Sequence, residues 1–283
     1  MSPRPPRQLI WLLGLLAVGV CGCAAWTSPS GSSSAMRLPL PPLPADSVVL
    51  EVTFVDLPQD AAALEDELWR EVDEQQFPAD LRRRLAVSGF RGGLVGNPLP
   101  RSLRNLLEQQ EAESPTRLQS GGPMADELTR QQRMQMRAGT RNDIVCSPTR
   151  SELPVLRLDE GRIVGRTYEQ AQCRFAARAF PQGDGRVRIK LVPEVHHGEI
   201  RQRWIGDERA LRLDAGQQRE AFDEFQIAAT LSPGQTMLLT CTDDLKGLGR
   251  HFFTDGEKPN IQRRMLLIRL TQTQIDDRFQ GEE

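Results

Sequence analysis

The feature that most limits what this chain can fold into is an alternation of apolar and charged residues with a period of two. After the turn formers Gly183-Asp184-Gly185, Val187, Ile189 and Leu191 alternate with Arg186, Arg188 and Lys190 as far as Pro193. Such a pattern sends one strand face into a core and the other into water, which a helix cannot do. Phe225, Ile227, Ala229 and Leu231 repeat it and stop at Ser232-Pro233-Gly234-Gln235, and Thr236 to Thr242 and Met265 to Thr271 read as the next strands. Before them, Ile144 to Ser147, Val155 to Leu158, Arg162 to Arg166 and Ala171 to Phe180 are short strands parted by turns such as Asp159-Glu160-Gly161. The expectation is a β-rich domain over 143–275 with a polar tail at 276–283.

The first half has a mixed pattern. Leu50, Val52 and Phe54 alternate with Glu51 and Thr53 in a strand from Val48 to Leu57. Leu64, Leu68 and Val72 then recur at helical spacing beside Trp69, and Pro78 opens a second helix carrying Leu81 and Leu85 that Gly89 ends. Phe90 to Val95 returns as a strand, and Pro100 starts a helix with Leu103, Leu106 and Leu107. This predicts a small α/β module over 47–111 and an α+β fold class for the chain. Residues 112–142, rich in Gln, Arg and Met, read as a flexible connector.

Residues 1–22 carry a different message. Arg4 and Arg7 precede an uncharged apolar run from Leu9 to Val20, too short for a membrane span and suited to an export signal. The segment Val20-Cys21-Gly22-Cys23 resembles the lipobox of bacterial lipoproteins, with Cys21 as a departure where a small residue is usual. The resemblance implies an acylated Cys23 and a membrane partner through that anchor; a plain cleaved signal or an uncleaved anchor are the alternatives. Residues 23–46, Ser/Gly-rich and then Pro-rich, read as an extended tether. Ala24 rather than an acid follows Cys23, which favours the outer membrane, with the folded part facing the periplasm.

Removing residues 1–22 takes two arginines from a formal charge of −2 and leaves −4. Basic clusters such as Arg82-Arg83-Arg84 are interspersed with acids, and a single Tyr offers little for base stacking, so a nucleic-acid partner is not expected. Beyond the signal, Cys146, Cys173 and Cys241 are an odd trio; one pair could bridge in an oxidising compartment, but their spacing assigns no pair.

Catalytic signatures are weak. His196, His197 and Glu199 form the best metal-like group, yet neighbours in a strand face opposite ways, leaving only His197 and Glu199 on one side, with His251 the one further histidine. Ser232 belongs to a Ser-Pro-Gly turn, and Cys173 and Cys241 read as buried thiols. Glu65, Asp66 and Glu67 are consecutive helix acids, while Gly89, Gly92, Gly93 and Gly96 lack phosphate-loop spacing. No cofactor, metal or catalytic residue is expected.

Four pieces resemble the C-terminal part of bacterial secretins, the pores of type II and type III secretion: Val187 to Gly198 (VRIKLVPEVHHG), Phe225 to Thr242 (FQIAATLSPGQTMLLTCT), Lys246 to Phe253 (KGLGRHFF) and Arg264 to Thr273 (RMLLIRLTQT). The resemblance implies a meander of strands with a short loop ending in an aromatic. The chain departs from that family at Gly247-Leu248-Gly249-Arg250-His251, which lacks loop prolines, and between Val195 and Phe225, which reads as charged without long amphipathic strands. The expectation is a non-enzymatic, lipid-anchored envelope scaffold or assembly subunit that docks an envelope protein or itself. A pore-forming secretin-type oligomer and a metal-dependent envelope hydrolase are the alternatives.

Overall fold

Strand β1 (Ser47–Leu57) buries residues on both of its faces, Val48, Leu50, Val52 and Phe54 on one and Val55 and Leu57 on the other. A strand covered on both sides belongs in the middle of a sheet. The computed structural model describes residues 46–59, 61–118, 131–159, 162–207, 210–256 and 260–273. The expected lipidation site Cys23, the expected export signal, residues 23–45 of the expected tether and the expected polar tail lie outside them.

Four helices and twelve strands follow one another among these residues. After β1 come α1 (Ala62–Glu71), a 3₁₀ turn, α2 (Ala79–Val87), β2 (Phe90–Val95) and α3 (Arg101–Leu118). Next are β3 (Gln131–Arg137), β4 (Asn142–Val145), β5 (Arg150–Asp159), β6 (Arg162–Pro181), β7 (Val187–Asp207), β8 (Ala210–Ala221), β9 (Ile227–Leu231) and β10 (Thr236–Cys241). The last elements are α4 (Gly247–Phe253), β11 (Thr254–Asp255) and β12 (Gln262–Thr273). The fold is mixed and β-rich, with antiparallel pairing throughout both sheets.

The first sheet runs β2-β10-β12-β1-β3, and β11 adds to β12. Here the expected separation of 47–111 from 143–275 gives way, because β1 pairs with β12 and β2 pairs with β10 instead of with each other. The described residues, all within 46–273, belong to a single compact unit. The physical reason is the two-sided burial of β1, which two strands and their helices cannot satisfy alone. The connector expected at 112–142 is corrected in the same way. Residues 131–137 form β3 along β1, burying Met134 and Met136 while Gln132, Arg133 and Gln135 stay exposed.

In the second sheet β6 and β7 are the central pair; β4 and β5 share the far edge of β6, and β8 and β9 share that of β7. Sequence pieces that read as separate strands merge here. Arg162–Arg166 and Ala171–Phe180 are one 20-residue strand, and β7, 21 residues long in all, runs on past the His pair where an end was expected. Between Val195 and Phe225, residues 195–207 and 210–221 thus form an antiparallel pair, where the charged sequence pattern suggested no long strands.

The two sheets share a core in which Phe90, Phe175, Phe225, Phe252 and Phe253 meet, with ring centroids 4.8 Å apart for Phe175–Phe252. Phe252 and Phe253 come from α4, so the KGLGRHFF segment is a core-plugging helix, where a loop was expected. Gly249 permits its close approach: a Cβ there would lie 1.9 Å from the Gly89 carbonyl oxygen. Gly89 itself, at φ 81°, closes α2 as its position predicts. On the other face of the first sheet, Leu68 and Trp69 of α1 and Leu103 and Leu106 of α3 cover Leu238, Met265 and Leu267. No described helix is long and apolar enough to cross a membrane.

Candidate functional site

The most distinctive local geometry is a fork in the second sheet. Pairing between β6 and β7 runs from Pro181 opposite Val187 to Gln172 opposite His196 and then stops. Two residues further along each strand, Gln170 takes φ 46° and Gly198 takes φ 76°. A left-handed residue turns an extended chain aside, readily for glycine and at a cost for glutamine. From this point β6 continues with β5 as one ribbon, while β7 continues with β8 as another after a register shift between His197 and Arg201.

The split leaves backbone carbonyls facing each other, and one side chain bridges them. Gln217 of β8 donates through Nε2 to the Gly198 oxygen at 2.9 Å and to the Gln170 oxygen at 3.3 Å. Tyr168 packs its ring against His197 at 4.9 Å, and Arg166 lies 4.8 Å over the Tyr168 ring while pairing with Glu220 at 2.8 Å. The fork is thereby clasped across its base by residues of both ribbons.

A second polar cluster supports the base of β7. Glu194 is 4% exposed and accepts from Arg141 at 2.6 Å and from His196 Nε2 at 2.9 Å. Burial pushes its carboxyl up, but hydrogen bonds from His196 and Arg141 outweigh that and hold it below the usual range. On the β5 side, Arg150 donates to the Thr254 oxygen at 2.6 Å and faces His251 Nδ1 at 3.3 Å. Burial and the Arg150 guanidinium lower His251 to about 4, so Nδ1 is an acceptor at neutral pH.

The three histidines thus occupy three environments: His196 on Glu194, His197 against Tyr168, and His251 beside Arg150. His196 and His197 diverge, as neighbours in a strand must, and Glu199 is exposed just beyond Gly198. Among the described residues no group of three His, Cys, Asp or Glu is placed to hold a metal ion. Ser232 donates its backbone N–H to the Gln235 side chain within its turn. Cys146, Cys173 and Cys241 are buried free thiols. Glu65 is buried against Arg263 at 2.8 Å, whereas Asp66 and Glu67 are exposed. Gly92 and Gly93 allow close packing of Leu239 and Val72 on β2, and Gly96 faces open space.

The ribbons themselves carry the unusual surface. Of the four large apolar side chains left exposed among the described residues, Leu156 (64%) and Val164 (42%) lie on β5–β6 and Ile200 (73%) lies at the root of β7–β8. Among the described residues the stretch Arg162–Glu169 pairs only with β5, Arg201–Asp207 only with β8, and β8 only with β7. The outer edge of β5 is less open, since Pro154 has no N–H to offer and α4 packs on that strand. Gly198 was readable as a bulge in a strand pattern, but nothing in the sequence marks Gln170 and Gln217 as its clasp.

Comparison with models of protein families, with curated proteins and with solved structures finds no match.

Proposed function

We propose that this chain is a non-enzymatic, lipid-anchored protein of the bacterial cell envelope that serves as a scaffold or assembly subunit through a secretin-like β domain. Its working surface is the fork. Acylation of Cys23 and the tether at 23–46 would hold the folded unit at a membrane, with the outer membrane favoured and the ribbons facing the periplasm. The N-terminal segment 47–111 would act as part of the same rigid body that carries the ribbons.

The observation that supports this reading is a pair of two-stranded ribbons with unpaired edges and exposed Leu156, Val164 and Ile200. Isolated ribbons of two strands are marginal in water, and unpaired edges invite a further strand. Strand addition along β8, which contains no proline, supplies main-chain hydrogen bonds to an envelope protein or to another copy. A secretin-type pore is the second reading, favoured by the strict antiparallel alternation of β5, β6, β7 and β8, since four strands from each copy could continue into a closed barrel.

The test is to fractionate envelopes and run unheated extracts by native electrophoresis for the full chain, Cys23→Ala and the triple variant Leu156→Lys, Val164→Lys, Ile200→Lys. A membrane-bound complex that Cys23→Ala releases and the triple variant dissolves supports the assembly subunit. A ring resisting heat and detergent selects the pore. A monomer in every sample sinks both.

A further inference from the structure

We infer that Cys146 and Cys173 form a cross-strand thiol pair that closes to a disulfide under oxidising conditions. The register of β4 against β6 runs from Asn142 opposite Ala177 to Val145 opposite Arg174. One more step places Cys146 opposite Cys173, and the Cys146 N–H donates to the Cys173 oxygen at 2.9 Å. Opposed residues of an antiparallel pair that share a ladder hydrogen bond have Cα atoms roughly 5.5 Å apart, inside the window of about 4.4–6.8 Å that a disulfide spans. Their side chains leave the sheet on the same face. Both residues are buried in the core between the sheets, Cys146 at 2% exposure and Cys173 at 0%. The third described thiol differs: Cys241 lies in the first sheet opposite Phe90.

The position gives the link a role. Residues 146 through 173 span 28 positions and include all of β5 and the part of β6 that pairs with it. A bond between the two cysteines would close that loop at the base of the β5–β6 ribbon and hold β4 on β6 beside the fork.

The chemistry is thiol–disulfide exchange with a small-molecule disulfide such as oxidised glutathione. One cysteine thiolate attacks the glutathione S–S bond, forming a mixed disulfide and releasing one glutathione thiolate, which takes up a proton. The second cysteine attacks the mixed disulfide and releases the other glutathione. The protein loses two electrons and two protons, and oxidised glutathione becomes two molecules of the thiol. Burial raises both thiols, Cys173 to about 12, so exchange belongs to the folding chain, before the core closes.

The experiment refolds the full chain in oxidising and in reducing glutathione buffers, blocks free thiols with iodoacetamide and maps tryptic peptides without reduction. The oxidised sample should contain residues 142–150 joined to residues 167–174, with Cys241 alkylated. Oxidation should also raise the thermal midpoint by roughly 7–14 °C, the loop-closure expectation for this length, and the double variant Cys146→Ser, Cys173→Ser should lose that difference. The inference is overturned if the oxidised wild-type protein carries alkyl groups on both cysteines, or if either is joined to Cys241, Cys21 or Cys23 instead. Because the peptide map uses the wild-type chain, misfolding of the serine variant would not obscure the answer.

Discussion

Acid should weaken this protein through His251 before it protonates most of the carboxylates. His251 is partly buried on α4, with Arg150 at its Nδ1 and Arg250 adjacent in sequence, and its proton affinity falls to about 4 from an ordinary 6.5. Between these values the unfolded chain binds more protons than the folded one, so stability rises with pH across that window. The contribution is complete above about pH 6.5 and is lost as pH falls toward 4. At about 1.36 kcal/mol per pH unit, the loss is about 2 kcal/mol by pH 5 and about 3 kcal/mol by pH 4. His197, lowered by burial and by Arg166, acts with the same sign. Glu65, raised because burial outweighs Arg263, acts against it, and Glu194, held low, loses its contribution as pH falls from the ordinary carboxylate value through its own. Comparison with His251→Asn cancels these shared terms. Urea unfolding of both proteins at neutral pH and near pH 4 should show the wild type losing about 3 kcal/mol more than the variant. Equal losses, within about 0.5 kcal/mol, would refute the assignment of His251 as a neutral buried acceptor.

Other perturbations probe the core and the clasp. Gly249→Ala drives a Cβ to 1.9 Å from the Gly89 oxygen, so α4 must part from the end of α2; a loss of about 3 kcal/mol in urea unfolding is expected, and a loss below about 1 kcal/mol would mean that the contact relaxes freely. Phe252→Ala empties the centre of the ring cluster, where Phe252 is 1% exposed, and should cost about 3–5 kcal/mol by the same measurement. Gln217→Ala removes the donor shared by Gln170 and Gly198; about 1 kcal/mol is at stake, seen as faster amide exchange in β5–β8 with little change at β1 and β12. Uniform acceleration across both sheets would count against a local clasp.

Much of the strand content was legible because alternation is a local signal. Val187, Ile189 and Leu191 are all fully buried, as their spacing requires, and Phe225, Ile227, Ala229 and Leu231 line the same core. What local patterns do not carry is partnership. β1 reads as a half-buried strand because Glu51 and Thr53 alternate with Leu50 and Val52, yet Val49, Val55 and Leu57 are buried on its second face and require β12 and β3 beside it. Those partners lie far along the chain, so 47–111 looks self-contained in the sequence when it is not. β3 was hidden by its composition: its only buried residues are Met134 and Met136, set among Gln and Arg. At the fork, Gly198 was the one visible sign, because a glutamine with positive φ has no sequence signature.

The fork is costly in isolation, which is the physical reason to place the function there. Gln170 holds an unfavourable backbone conformation, two carbonyls depend on one glutamine side chain, and Leu156, Val164 and Ile200 remain in water. A single continuous β6–β7 hairpin would avoid all three by pairing Gln170 with Gly198 and carrying on. Nearby, however, the base of the fork is strongly built, with Glu194 held by Arg141 and His196 and the Phe175–Phe252 core beneath it. Strain that the surroundings over-determine in this way persists because the folded body enforces it. A strand supplied from outside would pair the open edge of β8 and cover exposed apolar surface, recovering part of what the split gives up. The fork should therefore be the part of the molecule whose amide protection rises most on assembly, while β1, β10 and β12 change little.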